Sequence, residues 1–163
     1  ESGTSTFTMK GGTLTGRNGD QIYVTNTHSV ITLEDVTITN QDSSGRLLAI
    51  LGNDATRGWG TAGANGGQVD LTTTNQTLTG AIEVDTVSTL NFTMGKETNF
   101  TGTINIVKNA EGGTAVDNNA VITVEEGATW TLTGNVTITS LENKGTINFN
   151  GYTITLADGT VLK

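Results

Sequence analysis

The chain of 163 residues contains no cysteine, no proline and a single histidine. Without cysteine it has no disulfide scaffold, no cysteine-held zinc site and no thiol nucleophile. One histidine, His28, leaves little for a histidine metal cluster or a Ser-His-Asp constellation to build on. Aromatic residues make up 5% of the chain and charged residues 15%, the latter well below the roughly one quarter of an ordinary globular domain. Basic residues are the scarcer charge, 8 against 16 acidic, for a net charge of −8. That balance argues against a nucleic-acid backbone or an anionic membrane as partner. No apolar run approaches the roughly 18 residues that cross a bilayer, so no membrane insertion is expected. Residues 1–10 lack the charged and apolar regions of a signal peptide.

What fills the chain is small and polar: 34 threonines, 16 asparagines and 22 glycines. These are strand and turn formers rather than helix formers. The apolar residues alternate strictly with polar ones, a pattern that disordered chains do not keep.

The alternation repeats. Short TxT-like motifs recur as Thr13-Leu14-Thr15, Thr37-Ile38-Thr39, Thr77-Leu78-Thr79, Asn99-Phe100-Thr101, Thr131-Leu132-Thr133 and Thr153-Ile154-Thr155. Upstream of the last five lies a second strand type, Ile31-Thr32-Leu33, Val69-Asp70-Leu71, Leu90-Asn91-Phe92, Ile122-Thr123-Val124 and Ile147-Asn148-Phe149. A third type precedes it: Ile22-Tyr23-Val24, Leu48-Ala49-Ile50, Ile82-Glu83-Val84, Ile104-Asn105-Ile106 and Val136-Thr137-Ile138. In each triplet the side chains alternate faces, so the apolar members of all repeats can share one core. Gly16, Asn40, Gly80, Gly102 and Gly134 follow the TxT strands, where a sharp corner calls for positive φ.

Strands of one type return at intervals of roughly 21 to 38 residues, too far apart for hairpins and suited to stacked coils. The expected fold is all-β: a right-handed, single-stranded parallel β-helix (a β-solenoid) with three short strands per rung, five full rungs and a partial one at the start. Its handedness follows from the preference of parallel crossovers. A leucine-rich repeat lacks its LxxLxL line here, and a β-sandwich is the remaining alternative. Residues 1–163 form a single domain in this scheme. The beginning resembles the middle of an earlier coil, as expected of a segment from a longer surface protein. Leu156 to Lys163 suits a terminal turn and a short closing strand.

Two insertions break the repeat, at 52–66 and 108–119, and both leave the same corner two rungs apart. Solenoid insertions commonly build the binding face. In the first, Trp59 offers an apolar plate beside Asn53, Asp54 and Arg57, the combination a sugar ring uses. Its bland alternative is a lid folded over its own coil. Asp117, Asn118 and Asn119 of the second insertion complete the candidate ligand-binding set. Outward carboxylates at Glu83 and Asp85, together with Asp54, are the candidate calcium ligands, calcium being the one cofactor considered. Solvated surface charge is the competing account. His28 is expected in a solvated turn after Val24, and Glu34-Asp35 and Glu125-Glu126 at second corners. No paired carboxylates or nucleophile constellation stands out, so no catalytic residue is assigned and an enzyme is not expected.

The stretch Gly52 to Gly66, with Trp130-Thr131-Leu132-Thr133-Gly134 and Gly151-Tyr152-Thr153-Ile154-Thr155-Leu156-Ala157-Asp158-Gly159, resembles the secreted, adhesin-like parallel β-helix proteins of bacteria. Some of these are described as carbohydrate-binding domains. The resemblance implies an extracellular location, at the cell surface or secreted, and a pectate-lyase-like superhelix without lyase activity. The expected function is non-catalytic binding of a polysaccharide or host glycan. A structural stalk associating end to end is the first alternative. Ice binding through the stacked threonines, which resemble the ice-binding face of β-solenoid antifreeze proteins, is the second.

Overall fold

In a computed structural model of the chain, residues 3–54, 56 and 58–163 are described. Among them there are seventeen strands and no helix. The first eight are β1 (Thr4–Lys10), β2 (Thr13–Gly16), β3 (Ile22–Val24), β4 (His28–Glu34), β5 (Thr37–Asn40), β6 (Leu48–Ile50), β7 (Gln68–Thr74) and β8 (Thr77–Asp85). There follow β9 (Thr89–Met94), β10 (Asn99–Val107), β11 (Ala120–Val124), β12 (Thr129–Leu132) and β13 (Val136–Ile138). The last are β14 (Ser140–Asn143), β15 (Thr146–Asn148), β16 (Ile154–Leu156) and β17 (Val161–Leu162).

Every strand pair is parallel except β16 with β17. One sheet runs β1-β4-β7-β9-β11-β14; a second runs β17-β16-β13-β10-β8-β6-β3, with β12 and β15 attached; β2 and β5 form a third. Parallel pairing over 17 to 40 residues is consistent with a β-solenoid and unlike the antiparallel sheets of a β-sandwich.

Alternation explains the core. In the first sheet Phe7, Ile31, Leu71, Phe92, Ile122 and Leu141 stand in one register column. In the second, Ile22, Leu48, Ile82 and Ile104 do the same. Leu78, Phe100, Trp130 and Ile147 make a third column. All of these side chains except the exposed Phe7 belong to one continuous hydrophobic cluster, each contributing up to about 1.5–3 kcal/mol on full burial.

Three recurring strand types are present as expected, but the assignment or register of individual strands differs in five places. Thr129-Trp130-Thr131, not Thr131-Leu132-Thr133, lies beside Asn99-Phe100-Thr101. The next TxT-like strand is Thr146-Ile147-Asn148. Ile147-Asn148-Phe149 is therefore not of the second type, whose last member is β14, with Leu141 beside Ile122. Thr153-Ile154-Thr155 is not the last TxT strand either, since Ile154 pairs with Val136 of the third type. Leu71 and Phe92 sit two positions earlier than expected against Ile31 and Ile122. The shifts at Trp130 and at Leu71 and Phe92 are by two residues, which leaves those side chains on their proper face.

The expected corners also change. Of Gly16, Asn40, Gly80, Gly102 and Gly134, Gly80 alone has positive φ, at 128°. There β8 and β10 run on through the corner as nine-residue strands, so TxT and third-type strands merge. Gly102 is required for another reason: a Cβ on it would land on the carbonyl oxygen of Gly80. Left-handed residues cluster instead at the corner before the TxT strands, at Asp35, Asn75, Glu97 and Gly127. Aspartate and asparagine tolerate that conformation better than most side chains.

The closing segment forms β17, which folds back antiparallel on β16 with Leu162 beside Ile154. His28 is not in a turn: it opens β4, and its Nε2–H donates to Asp70 Oδ2 at 2.7 Å.

Candidate functional site

Both insertions leave the second sheet on one side and enter the first, 52–66 between β6 and β7 and 108–119 between β10 and β11. β6 and β10 flank β8, so the two loops rise from neighbouring positions with β8 between them. Asp85, the last residue of β8, fastens them. Its Oδ2 accepts the N–H of Gly52 and the amide of Asn109, each at 2.7 Å, and Oδ1 accepts the N–H of Val87 at 3.2 Å. Asp85 is buried, contrary to its expected place as an exposed outward carboxylate. Strand alternation does turn it away from the core, but the two insertions cover that outer surface.

Asn109 carries the fastening onward, its Oδ1 accepting the N–H of Glu111 at 3.0 Å and its own N–H donating to Thr86 Oγ1 at 3.0 Å. Further out the loops touch backbone to backbone. A Cβ on Gly113 would fall on the carbonyl of Gly63, so both positions require glycine.

The structure places the sequence-predicted residues unequally. Trp59 is 43% exposed, so it does not form a closed lid over its coil. Asn53 is buried and donates its amide to the Trp59 carbonyl; its N–H donates to Ala64 O at 2.7 Å, and its carbonyl accepts from Gly63 at 2.9 Å. Asn53 therefore shapes the loop rather than facing a ligand. Asp54 Oδ1 accepts the N–H of Thr56 at 2.9 Å. Arg57 lies outside the described residues. Asp117 and Asn118 are exposed at the far end of the second loop, Asn118 with φ 58°. Asn119 is a turn clamp, donating to the carbonyls of Thr86 at 3.2 Å and Ser88 at 2.8 Å.

Between the loop bases lies a hollow of about 190 Å³, lined among others by Asp54, Asp85, Lys108, Asn109 and Arg46. Arg46 is already engaged by Asp20 at 2.8 Å and Glu83 at 2.5 Å, and these carboxylates, Asp20 foremost, raise its pKa. Glu83, a calcium candidate, is thus the partner of Arg46. Among the described residues no three carboxylate or imidazole side chains converge as metal ligands would.

Two further carboxylates stand on the outer surface, Asp70, read from the sequence as outward, and Asp42, which sequence reasoning missed. Asp70 accepts from His28 and, at 2.8 Å, from the Asn91 amide, and these bonds, Asn91 first, hold its carboxyl below the ordinary value of 3.8. Asp42 is lowered to about 2 by the Ser44 hydroxyl and the N–H groups of Gly19 and Ser44. The recurrence of polar residues at outward positions was visible for Asp70, whereas the Asp42 turn follows no repeat.

No protein family matches the chain, and neither a curated protein nor a solved structure is significantly similar to it.

Proposed function

We propose that the protein is a non-catalytic binding module, a right-handed parallel β-helix of five full rungs and a partial one, that holds a polysaccharide on its loop edge. The observation that carries this reading is Trp59, 43% exposed on an edge where two insertions are held together by the buried carboxylate of Asp85. An indole on a braced loop is an apolar plate ready for a sugar face, and bracing lowers the ordering cost of binding. In this reading Asp54 of the first loop and the exposed Asp117 and Asn118 of the second are the polar groups that join Trp59 in holding the ligand. The setting at a bacterial cell surface, or secreted from it, rests on the resemblance to adhesin-like β-helix proteins.

The test is retention on a panel of insoluble and immobilised polysaccharides, with and without calcium, for the wild-type protein and Trp59→Ala. The expected result is specific retention by the wild type, lost in the variant, with the unfolding midpoint unchanged. Equal retention by the variant removes the site from Trp59. No retention on any polymer favours a structural stalk.

A further inference from the structure

Stacked strands leave sheet edges at both ends, and hydrogen bonding fixes which groups the first end offers. His28 donates its N–H to Gly3 O, and Gly11 donates to Glu34 O. In the parallel register of β1 with β4, Ser5, Phe7 and Met9 therefore direct their backbone groups toward β4. Thr4, Thr6, Thr8 and Lys10 turn the other way, and β1 is the outermost strand of its sheet. Each of these four directs one N–H and one C=O off the end of the stack. Thr13 and Thr15 do the same on β2, where Thr37 donates to Gly12 and Gln41 to Gly16.

The side chains of that end are apolar. Phe7 is 44% exposed, whereas Ile31 and Leu71, which follow it in the same column, are buried. Phe7, Leu14, Ile22, Val24 and Ile31 line a hollow of about 380 Å³. In residues 1–24, Lys10 and Arg17 balance Glu1 and Asp20, so the net charge of −8 lies wholly in residues 25–163. Lys10 is held on the outer surface by Glu34 at 2.9 Å. Two such ends approach each other without like-charge repulsion.

We propose that this end docks on the same end of a second copy of the chain, in a closed head-to-head dimer about a twofold axis at Phe7. Antiparallel pairing of β1 with its own copy about that axis sets Thr4 opposite Lys10 and Thr6 opposite Thr8. Every N–H and C=O that β1 directs off the end then gains a partner. A register shifted by one residue opposes outward groups to inward ones and loses these bonds. Phe7 meets its copy at a position without hydrogen bonds, where opposed Cα atoms are about 4.5 Å apart and aromatic pairs strengthen a sheet. The same rotation brings the two apolar hollows together. At the other end β17 runs antiparallel along β16, so β3 of a second copy would meet a reversed strand of two residues instead of a continuing ladder. The arrangement favours a closed pair joined through one self-complementary patch over a head-to-tail fibre.

The experiment is sedimentation equilibrium of the full chain from about 1 μM to about 1 mM, with amide hydrogen exchange at both limits. A single monomer–dimer equilibrium is expected. In the dimer the amides of Thr6 and Thr8 exchange about tenfold or more slowly than in the monomer, and those of β14 and β17 are unchanged. Phe7→Lys weakens dimerisation about thirtyfold or more. Thr6→Pro deletes an edge N–H that β4 does not use, a change edge strands accept, and abolishes pairing. Both variants remain folded by circular dichroism, and Trp59→Ala dimerises as the wild type does. The proposal is overturned if the chain is still monomeric at about 1 mM, or if oligomers grow past the dimer with β14 protected. It is equally overturned if folded Phe7→Lys and Thr6→Pro chains dimerise as tightly as the wild type.

Discussion

Two tryptophans in one chain have opposite fates. Trp130 is fully buried, donates its indole N–H to Gly102 O at 3.2 Å and stacks on Phe100 with ring centroids 5.9 Å apart. Trp59 stands 43% exposed. Truncating a buried tryptophan removes its transfer free energy and leaves a cavity, so Trp130→Ala is expected to cost roughly 3–5 kcal/mol in chemical denaturation, while Trp59→Ala stays within about 0.5 kcal/mol. Trp59 was legible as a candidate because nothing in its glycine-rich surroundings follows the repeat. Trp130 was not, because Leu132 two residues on has the same parity and made a more familiar TxT motif. Asp85 was misread for a different reason: alternation reports which face a side chain takes, not whether an insertion covers that face. Acid stability also belongs to single residues. Asp42 and Asp70 have folded-state pKa values below the ordinary 3.8, Asp42 near 2. Their contributions are complete above about pH 4 and fade as pH falls toward about 2. Thermal midpoints are expected to drop across that window, and Asp42→Asn is expected to shallow the drop.

At the scale of strands, the first five members of the third type were read correctly because corners and insertions bound them on both sides, and the sixth, β16, was taken for a TxT strand. Ile22, Leu48, Ile82, Ile104 and Val136 each begin their triplets as expected. The second and TxT types slipped by two because a threonine-rich alternation has nearly the same appearance at either register. Only long-range pairing distinguishes the two, and it contributes no local signal. The merged strands β8 and β10 depend on the corner where Gly102 passes the Gly80 carbonyl. Gly102→Ala forces that contact open and is expected to cost about 1–3 kcal/mol, measured by urea unfolding, whereas an alanine at the exposed Gly151, which meets nothing within 4 Å, has only its positive φ to oppose it.

Across the whole molecule the two ends are finished differently. The first strands present an apolar hollow of about 380 Å³, lined by Phe7, Leu14, Ile22, Val24 and Ile31 among others. At the opposite end β17 folds back on β16 and covers part of the core. In a stack where each strand is supported by its neighbours, stability is greatest where both neighbours are present. In the monomer, amide exchange is expected to be slowest in β7 to β11 and fastest in β1, β2 and β3, and a uniform profile would contradict nearest-neighbour support. Composition and period made the all-β architecture of parallel sheets legible, whereas the finish of each end depends on single short segments.

The joint between the insertions has an outcome for anyone who would rebuild the loop edge. Residues 52–66 and 108–119 are far apart in sequence, yet Gly63 rests on Gly113, and Asp85 binds Gly52 and Asn109 together. They are a matched pair, like two halves of a clasp. Exchanging one loop for a foreign sequence unlatches the other, so replacements have to be grafted or evolved in both at once. A library that varies the tips while preserving those five anchor residues keeps the clasp shut.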